Sequence, residues 1–464
     1  MAINKLIDLQ ETQRPGSHAR SQFSIKGVPL GIFTKGKQSE LTGPPVQFIP
    51  IKPIGQPMDL ELYAQMQILM ANAINAKAGA MLLTLSGQGL RVQLQIDGVL
   101  HDREVFDPNA GTLLINAFKM LSWIDYTKRI AQQHGSLKVK FKSEKYSCEV
   151  ANQLTQGQER LLFKISGKYT TPPERLDEAG MNPYTFTRLK EFMFDPVFVI
   201  ASAPPKSGLT TTFNCTVGSV DRYLRNAVVI EDVSSNEPPI ANVSVTTYDA
   251  KAGQSPKDVL PGVVRTYPDV ITVRNMTDGA TVDILCAQPA QDRIVIGGIA
   301  AKDAVEALVR VLAMEPDTDK FIATIGAVVN SRIVRKLCSE CKDAYPPEPQ
   351  LMQQLGIPRG RVASFYRPGP PKLPAEIRQR MIDQQVPIVC NACGGIGYRG
   401  RTGLYEVLMV TDELRKAMKK TTKVDELRKV AQKAGFRPFL EEGVMLAARG
   451  ITSIQEVIRV LKSS

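Results

Sequence analysis

Four of the seven cysteines stand in two closely spaced pairs. Two residues separate Cys338 from Cys341, and two separate Cys390 from Cys393. Thiolates at this spacing can close on one tetrahedral ion from two sides, and Zn²⁺ accepts such a donor set. The alternative is four unrelated buried cysteines, which two such pairs among seven cysteines argue against. The spacing therefore predicts a closed, structural zinc site.

A second candidate site follows the apolar run at 197–202. Residues 203–212 read APPKSGLTTT and lie between this predicted strand and a helix-compatible segment. A phosphate-binding loop of the form GxxxxGK[ST] would occupy this position. Glycines there let backbone N–H groups wrap the phosphates, and the helix N-terminus adds a partial positive charge. The predicted nucleotide-binding residues are Lys206, Ser207, Gly208, Thr210 and Thr211.

The loop departs from this pattern where the chemistry is concentrated. Ala203 replaces the first Gly and Leu209 replaces the Lys, while Thr210 remains where a hydroxyl would hold magnesium. A charge-assisted bond contributes ~1.5–3 kcal/mol, so losing the Lys alone would cost on the order of a hundredfold in rate. Lys206 is a hypothetical substitute, and the alternative is a lysine that points to solvent. ATP with Mg²⁺ therefore stays a candidate ligand of a weakened loop.

The elements around these residues predict several domains. Short apolar runs at 197–202, 226–232, 269–273 and 292–300 alternate with helical segments and indicate a parallel sheet. The predicted organisation is a flexible arm at 1–57, an α+β domain at 58–165, a linker at 166–183, an α/β domain at 184–335, a tetracysteine element at 336–406 and a helical domain at 407–464.

Local signals refine the first and last domains. Alternating residues around Asp97-Gly98 predict a hairpin, and an apolar helix near 108–123 is expected to carry Trp123 into the core. Near the end of the chain, Gly450 is predicted to close one helix. Ser453 and Glu456 are predicted to form a capping box on the next.

The charge balance is basic, with a formal net charge of +12. Such a chain suits nucleic acid, an acidic protein or an anionic membrane surface, but no aromatic residues interleave with Lys and Arg as nucleic-acid binding would favour. The first residues lack the apolar core of a secretory signal. The apolar run at 197–203 is far shorter than the ~20 residues of a membrane helix. We therefore expect an intracellular protein whose membrane contact is peripheral.

The order of the segments resembles the type II secretion and type IV pilus assembly ATPases. The resemblance runs from about residue 60 to the C-terminus, and the two cysteine segments carry most of it. It rests on LRVQLQIDGVLHD, VVIEDVSSNE, YPDVITVRNMTD, IVIGGIAAKDA, SRIVRKLCSECK and CNACGGIGYRGRTGLYEVL. It implies a RecA-like parallel-sheet ATPase core, a smaller α+β N-terminal domain, a zinc-binding insertion and a helical C-terminal region.

The departures from this family fall on the residues that its reaction uses. By resemblance, Asn275 stands at the catalytic Glu of the Walker B segment, Arg274 at the preceding Gly and Ala300 at the histidine of a later motif. An amide cannot act as a base towards an attacking water. Acidic residues are kept at Glu231 and Asp232 in the acidic box, and at Asp269 in the Walker B strand.

The resemblance also implies that an arginine of the N-terminal domain reaches a phosphate. Arg160 matches one of the family's phosphate-reaching arginines, and a ring would place it near a neighbouring subunit's nucleotide, whereas Glu149 stands at another such position. Glu231 and Arg160 are therefore the remaining candidates for a catalytic role.

Three functions follow as hypotheses. The first is a family member with lost or much reduced ATP hydrolysis and a structural or regulatory role. It would sit in a homo-hexamer or a mixed ring with an active paralogue, beside platform proteins at the cytoplasmic face of the inner membrane. The second is a working ATPase that uses Lys206 and Glu231. The third is a basic scaffold for nucleic acid or an anionic membrane, and the net charge is the only feature that supports it.

Overall fold

The computed structural model describes residues 46–49, 59–127, 132–155, 157–167, 172–235, 237–358, 360–385 and 388–462. These residues fall into two compact units, 46–167 and 172–462. The predicted arm at 1–57 lies outside the described residues apart from 46–49, and so does part of the predicted linker, 168–171. No helix in the described ranges is long and apolar enough to cross a bilayer.

The first unit is a seven-stranded antiparallel sheet with two helices. The strands are β1 (Gln47–Ile49), β2 (Ala80–Ser86), β3 (Gly89–Ile96), β4 (Val99–Phe106), β5 (Gln132–Phe141), β6 (Glu144–Thr155) and β7 (Gln158–Ser166), and the helices are α1 (Leu60–Asn75) and α2 (Pro108–Leu121). Their order across the sheet is β1-β5-β6-β7-β2-β3-β4. Phe118 of α2 packs edge-on against Phe163 of β7 in the core between helix and sheet.

The predicted hairpin in this unit is confirmed. Strands β3 and β4 pair in antiparallel register from Ile96 and Val99 outward. Between the two strands, Asp97 and Gly98 have φ values of 51° and 85°, respectively. Two left-handed residues define the tight turn that matches the twist of paired strands, which explains the Asp-Gly sequence.

The prediction for Trp123 is wrong. Helix α2 ends at Leu121, and Trp123 follows it with a left-handed φ of 61°. This turn carries the indole to the surface, where Trp123 is 47% exposed. The helix therefore ends two residues before Trp123, and the helical periodicity that predicted a buried position does not extend to this residue.

The second unit is built on a seven-stranded sheet in the order β10-β9-β11-β12-β8-β13-β16. The strands of this sheet are β8 (Phe198–Ala203), β9 (Ala227–Asp232), β10 (Val243–Tyr248), β11 (Val270–Val273), β12 (Ile294–Ala300), β13 (Ile325–Leu337) and β16 (Tyr398–Met409). Strands β14 (Lys342–Tyr345) and β15 (Phe365–Pro368) form a separate two-stranded antiparallel sheet. All neighbours in the large sheet are parallel except β13 and β16. This arrangement confirms the predicted parallel α/β core.

Helices cover both faces of this sheet and form the C-terminal part of the chain. They are α3 (Pro183–Phe192), α4 (Leu209–Gly218), α5 (Pro256–Val264), α6 (Gly279–Cys286), α7 (Ala304–Leu312), α8 (Thr318–Thr324), α9 (Pro349–Gln354), α10 (Ala375–Asp383), α11 (Asp412–Met418), α12 (Val424–Lys433), α13 (Phe439–Ala448) and α14 (Ile454–Lys462). One apolar cluster packs α5 to α8 and α11 to α12 on one face, and a second packs α3 and α4 on the other.

The four apolar runs predicted as parallel strands all form strands. Every residue of β8 and β11 is buried, which accounts for their lack of alternation. Strands β13 and β16 are antiparallel neighbours. The tetracysteine segment is thus an excursion between two strands of the core sheet, and residues 398–406 belong to that sheet.

The end of the chain follows its predicted caps in part. Gly450 has φ +67° just after α13, and the amide of Ile451 donates to Leu446 O, so the predicted helix stop is confirmed. Ser453 Oγ accepts from the Glu456 amide at 3.1 Å, which is one half of a capping box. The Glu456 carboxylate instead accepts from the amide of Arg335 on β13.

Candidate functional site

The phosphate loop joins the buried strand β8 to helix α4. Ala203 ends the strand, and Gly208 caps the helix with φ +97°, a value that favours glycine. A Cβ added at Gly208 would lie 2.9 Å from the Ile333 side chain. Gly208 therefore has the position and the left-handed backbone of a phosphate-loop glycine, and the N-terminus of α4 follows it directly.

The other predicted loop residues provide little positive charge at this helix end. Lys206 is exposed and has a left-handed φ of 60°. Ser207 uses its amide within the loop, donating to Pro204 O at 3.0 Å. Leu209 is the first residue of α4 and is half-buried. A hydrocarbon side chain thus occupies the helical position from which a lysine would reach the phosphates.

The hydroxyl of Thr210 has a carboxylate partner. Thr210 Oγ1 donates to Glu237 Oε1 at 3.0 Å, and Glu237 lies between β9 and β10. A threonine hydroxyl beside a carboxylate is an oxygen donor set of the kind that Mg²⁺ takes. Glu237 was not among the predicted site residues, although it is the final residue of the acidic segment VVIEDVSSNE. Thr211 has no comparable contact among the hydrogen bonds of the described residues.

The candidate catalytic residue Glu231 is held by an arginine. Arg274 Nε and Glu231 Oε2 are 2.7 Å apart, and the side chains are only 10% and 13% exposed. Arg274 Nη1 also donates to Asn214 Oδ1 of α4 at 2.8 Å, and its guanidinium lies over the Phe213 ring. The Glu231 carboxylate is therefore engaged by a guanidinium that is itself fixed by α4, and it does not face the loop as a free group.

The remaining family positions differ in how close they lie to the loop, and Ala300 pairs with Ala203 at its start. Asn275 is exposed after β11, and the carbonyl of Ala300 accepts from Arg310 Nη1 at 2.8 Å. Asp269 precedes β11 and therefore lies at the amino end of the strands, where its carboxylate accepts from the Asn226 amide. Hydrogen bonds from Ser234 and the Ala250 amide lower the pKa of Asp232.

The first unit contains the candidate Arg160. This residue lies on β7, opposite Thr84 of β2 and Gln153 of β6, and its side chain is exposed. Glu149, at the other arginine position, lies 3.7 Å from Lys164 Nζ. Arg160 is thus exposed, and among the described residues its guanidinium makes a long contact of 3.4 Å to Gln158.

The four predicted metal ligands come together. Their Sγ atoms lie within 4.8 Å of one another, and all four side chains are buried. Cys338 and Cys390 are 3.9 Å apart and Cys341 and Cys393 are 3.7 Å apart. Sulfurs bound to one zinc at ~2.3 Å in a tetrahedron would be about 3.8 Å apart, so the donor set fits this ion.

The backbone around the cysteines is shaped for such an ion. Gly394, Gly395 and Gly397 have φ values of 59°, 80° and 79°, which wrap the chain after the second pair. The Gly397 amide donates to Cys393 Sγ at 3.2 Å. Burial raises the pKa of the Cys341 thiol, a cost that a bound dication would remove by holding the thiolate.

Comparisons with known proteins agree with this architecture. A family model described as "Type II/IV secretion system protein" matches residues 60–459. The type IV pilus assembly ATPase PilB of Thermus thermophilus is 26% identical over 80% of this chain, although the match spans only 39% of that protein. The type II secretion system protein E of Klebsiella pneumoniae is 25% identical over 99% of this chain and 86% of its own length.

One further relative and two solved structures extend the comparison. The protein transport protein HofB homolog of Escherichia coli is 27% identical over 84% of this chain and 80% of its own. The structure of the Legionella pneumophila ATPase DotB covers 89% of this chain and 98% of its own, with a TM-score of 0.53 and 13% identity. The Yersinia pseudotuberculosis ATPase DotB covers 92% and 100%, with a TM-score of 0.50 and 12% identity. These structures share the fold.

Proposed function

Because the chain belongs to the type II/IV secretion system protein family, we propose that it serves a bacterial secretion or pilus machine as an ATPase-like subunit with lost or much reduced ATP hydrolysis. Its role is then structural or regulatory. The observation that carries this proposal is the largely buried pair of Arg274 and Glu231. This pair engages Glu231, the candidate catalytic carboxylate, while Leu209 and Asn275 stand at the lysine and glutamate positions.

The electrostatics of phosphoryl transfer explain why these changes matter together. Transfer of a γ-phosphoryl group needs cations on the equatorial oxygens and a group that orients the attacking water. The amide of Asn275 cannot take a proton, and the Glu231 carboxylate is already bound by Arg274. The loop keeps only its amides and the hydroxyl of Thr210, which support binding more than reaction.

The proposed assembly follows the family rather than the contacts of this chain. We place the subunit in a homo-hexamer or in a mixed ring with an active paralogue, at the cytoplasmic face of the inner membrane beside platform proteins. The tetracysteine site is proposed to hold a structural Zn²⁺, since four protein thiolates leave no open position for chemistry. Thr210 and Glu237 are the residues that would hold Mg²⁺, which would neutralise phosphate charge.

The pair of Thr210 and Glu237 also favours a second candidate function. A magnesium ion held there beside Lys206 would suit a working motor with non-standard residues. This candidate requires Lys206 to turn from solvent towards the loop, and it needs a water-orienting group that Glu231 does not supply.

Two measurements on the purified full chain separate these candidates. Magnesium-dependent phosphate release is measured for the wild type, Thr210→Ala and the matched control Thr211→Ala, and a fluorescent ATP analogue is titrated with and without Mg²⁺. We expect phosphate release at, or only slightly above, the protein-free rate. Robust release that Thr210→Ala abolishes and Thr211→Ala leaves intact would establish the motor instead.

A further inference from the structure

The outer strands of the two large sheets differ in how they are protected. Sheet edges present unpaired N–H and C=O groups, and proteins usually guard them with charge, proline or very short strands. β1 has three residues, β4 carries Asp102, Arg103 and Glu104, and β16 carries the exposed Arg399 and Arg401. β10 has six residues, VSVTTY, with neither a charge nor a proline.

The unguarded edge of β10 is exposed. β10 is the terminal strand of the core sheet and pairs only with β9 in the part of the chain that the structure describes. Ser244, Val245 and Thr247 are exposed, and the Val245 side chain is 50% exposed. Helix α5 packs behind this strand, so one face is supported while the outer edge and Val245 face solvent.

The sequence of β10 is self-complementary in antiparallel pairing. With Val245 placed opposite its own copy, Val243 faces Thr247 and Ser244 faces Thr246 of the second strand. Pairs of β-branched residues and of hydroxyl residues are favourable across antiparallel strands, and no like charges meet. Because the two strands are identical and each pair of residues occurs twice in this register, the two chains would be related by a twofold axis through Val245.

We propose that β10 is a self-association edge at which two copies of this chain join their core sheets through antiparallel β10–β10 pairing. This inference goes beyond the proposed function, since it concerns a contact that needs neither nucleotide nor zinc. An unrelated extended segment could also add to this edge. The second copy is favoured because this register places Val243 opposite the β-branched Thr247 and Ser244 opposite the hydroxyl of Thr246, with Val245 covering Val245.

Charge substitutions at the twofold axis test the contact. In Val245→Lys two lysines meet, and in Val245→Glu two glutamates meet, so each variant should lose association. Light scattering coupled to size-exclusion chromatography should give each variant about half the mass of the wild type, or a smaller fraction if other contacts build larger assemblies. Mixing the two variants pairs Lys with Glu and should restore the wild-type mass. The matched control is Val105→Lys on β4, which is 61% exposed and should leave the mass unchanged.

Cross-linking provides an independent readout. Directly opposed residues of antiparallel strands have Cα atoms ~4.5–5.5 Å apart, within the range of a disulfide. Under mild oxidation Val245→Cys should form a covalent dimer of the 51.0 kDa chain, and Val105→Cys should not. The proposal is wrong if Val245→Lys keeps the wild-type mass, if the mixture fails to regain it, or if both cysteine variants cross-link equally.

Discussion

Arg274 and Glu231 bind each other across neighbouring strands, at the carboxyl ends of β11 and β9. Arg274 follows β11, and its amide also donates to Ile230 O of β9 at 3.0 Å. The pair lies beside α4, where Asn214 accepts a further guanidinium hydrogen bond. The position that resembles the family's Gly is therefore occupied by an arginine whose charge is paired with Glu231 inside the protein.

Removing the arginine alone should destabilise the second unit. Arg274→Ala leaves Glu231 nearly buried without its partner, and breaking such a pair costs about 3 kcal/mol. Arg274→Met combined with Glu231→Leu removes both charges and should cost far less. The sole tryptophan, Trp123, lies in the first unit, so chemical denaturation should be followed by hydrogen exchange in β9 and β11 rather than by fluorescence. Equal losses in the single and double variants would contradict this account.

Restoring the family's residues should restore turnover. Leu209→Lys, Arg274→Gly and Asn275→Glu together return the cation, the small residue and the water-orienting carboxylate. We expect magnesium-dependent phosphate release at least about a hundredfold above the parent chain. Groups that act as a unit are not additive, so each substitution alone should add little. The control combines Leu209→Met with Arg274→Gly and Asn275→Glu, and it should remain inactive because it lacks the cation.

The tetracysteine site should hold one zinc ion per chain. Elemental analysis of the purified protein should show this ion, and Cys341→Ser should lose it because three thiolates bind far more weakly. Cys286→Ala removes a buried cysteine of α6 and should retain the metal. Loss of the ion should also speed proteolysis between β14 and α10. Retention of zinc by Cys341→Ser would refute the assignment.

The sequence alone predicts the features that depend on local patterns. Buried strands such as β8 and β11 show as short apolar runs, and the turn at Asp97-Gly98 is specified by its two residues. The cysteine pairs were also sufficient to foresee four converging sulfurs. Each of these signals lies within a few residues, so tertiary context changes them little.

The sequence does not predict side-chain contacts between residues that are distant along the chain. Residues 43 apart form the pair of Arg274 and Glu231, and Thr210 meets Glu237 across 27 residues. No local period links such side chains, because the sheet order that joins them is set by the whole core. The prediction for Trp123 was wrong for the opposite reason, because a single left-handed residue after α2 decides the direction of the indole ring.

Helix α14 is held against β13 by the buried carboxylate of Glu456. The ionisation of this carboxylate makes the stability of the helix depend on pH. Glu456 is 1% exposed and binds Arg335 of β13 at 2.8 Å and Arg459 of α14 at 2.7 Å. Burial opposes its ionisation, but hydrogen bonds from Arg459 and Arg335 outweigh burial and lower the pKa from 4.5 to about 2. The folded state therefore favours the charged form.

Glu456→Gln should destabilise the docking of α14 in a pH-dependent way. A depressed pKa contributes stability above pH 4.5, where the unfolded chain is ionised, and that contribution disappears as pH falls towards 2. Because Arg459 is 45% exposed, screening limits the loss near pH 7 to about 2 kcal/mol. Denaturant midpoints followed by hydrogen exchange in α14 should thus differ most between wild type and variant above pH 4.5 and converge below it. The exposed Glu426 of α12 is the control, and Glu426→Gln should shift the midpoint little at any pH. A constant gap for Glu456→Gln from pH 7 to pH 3 would show that packing, rather than charge, holds the helix.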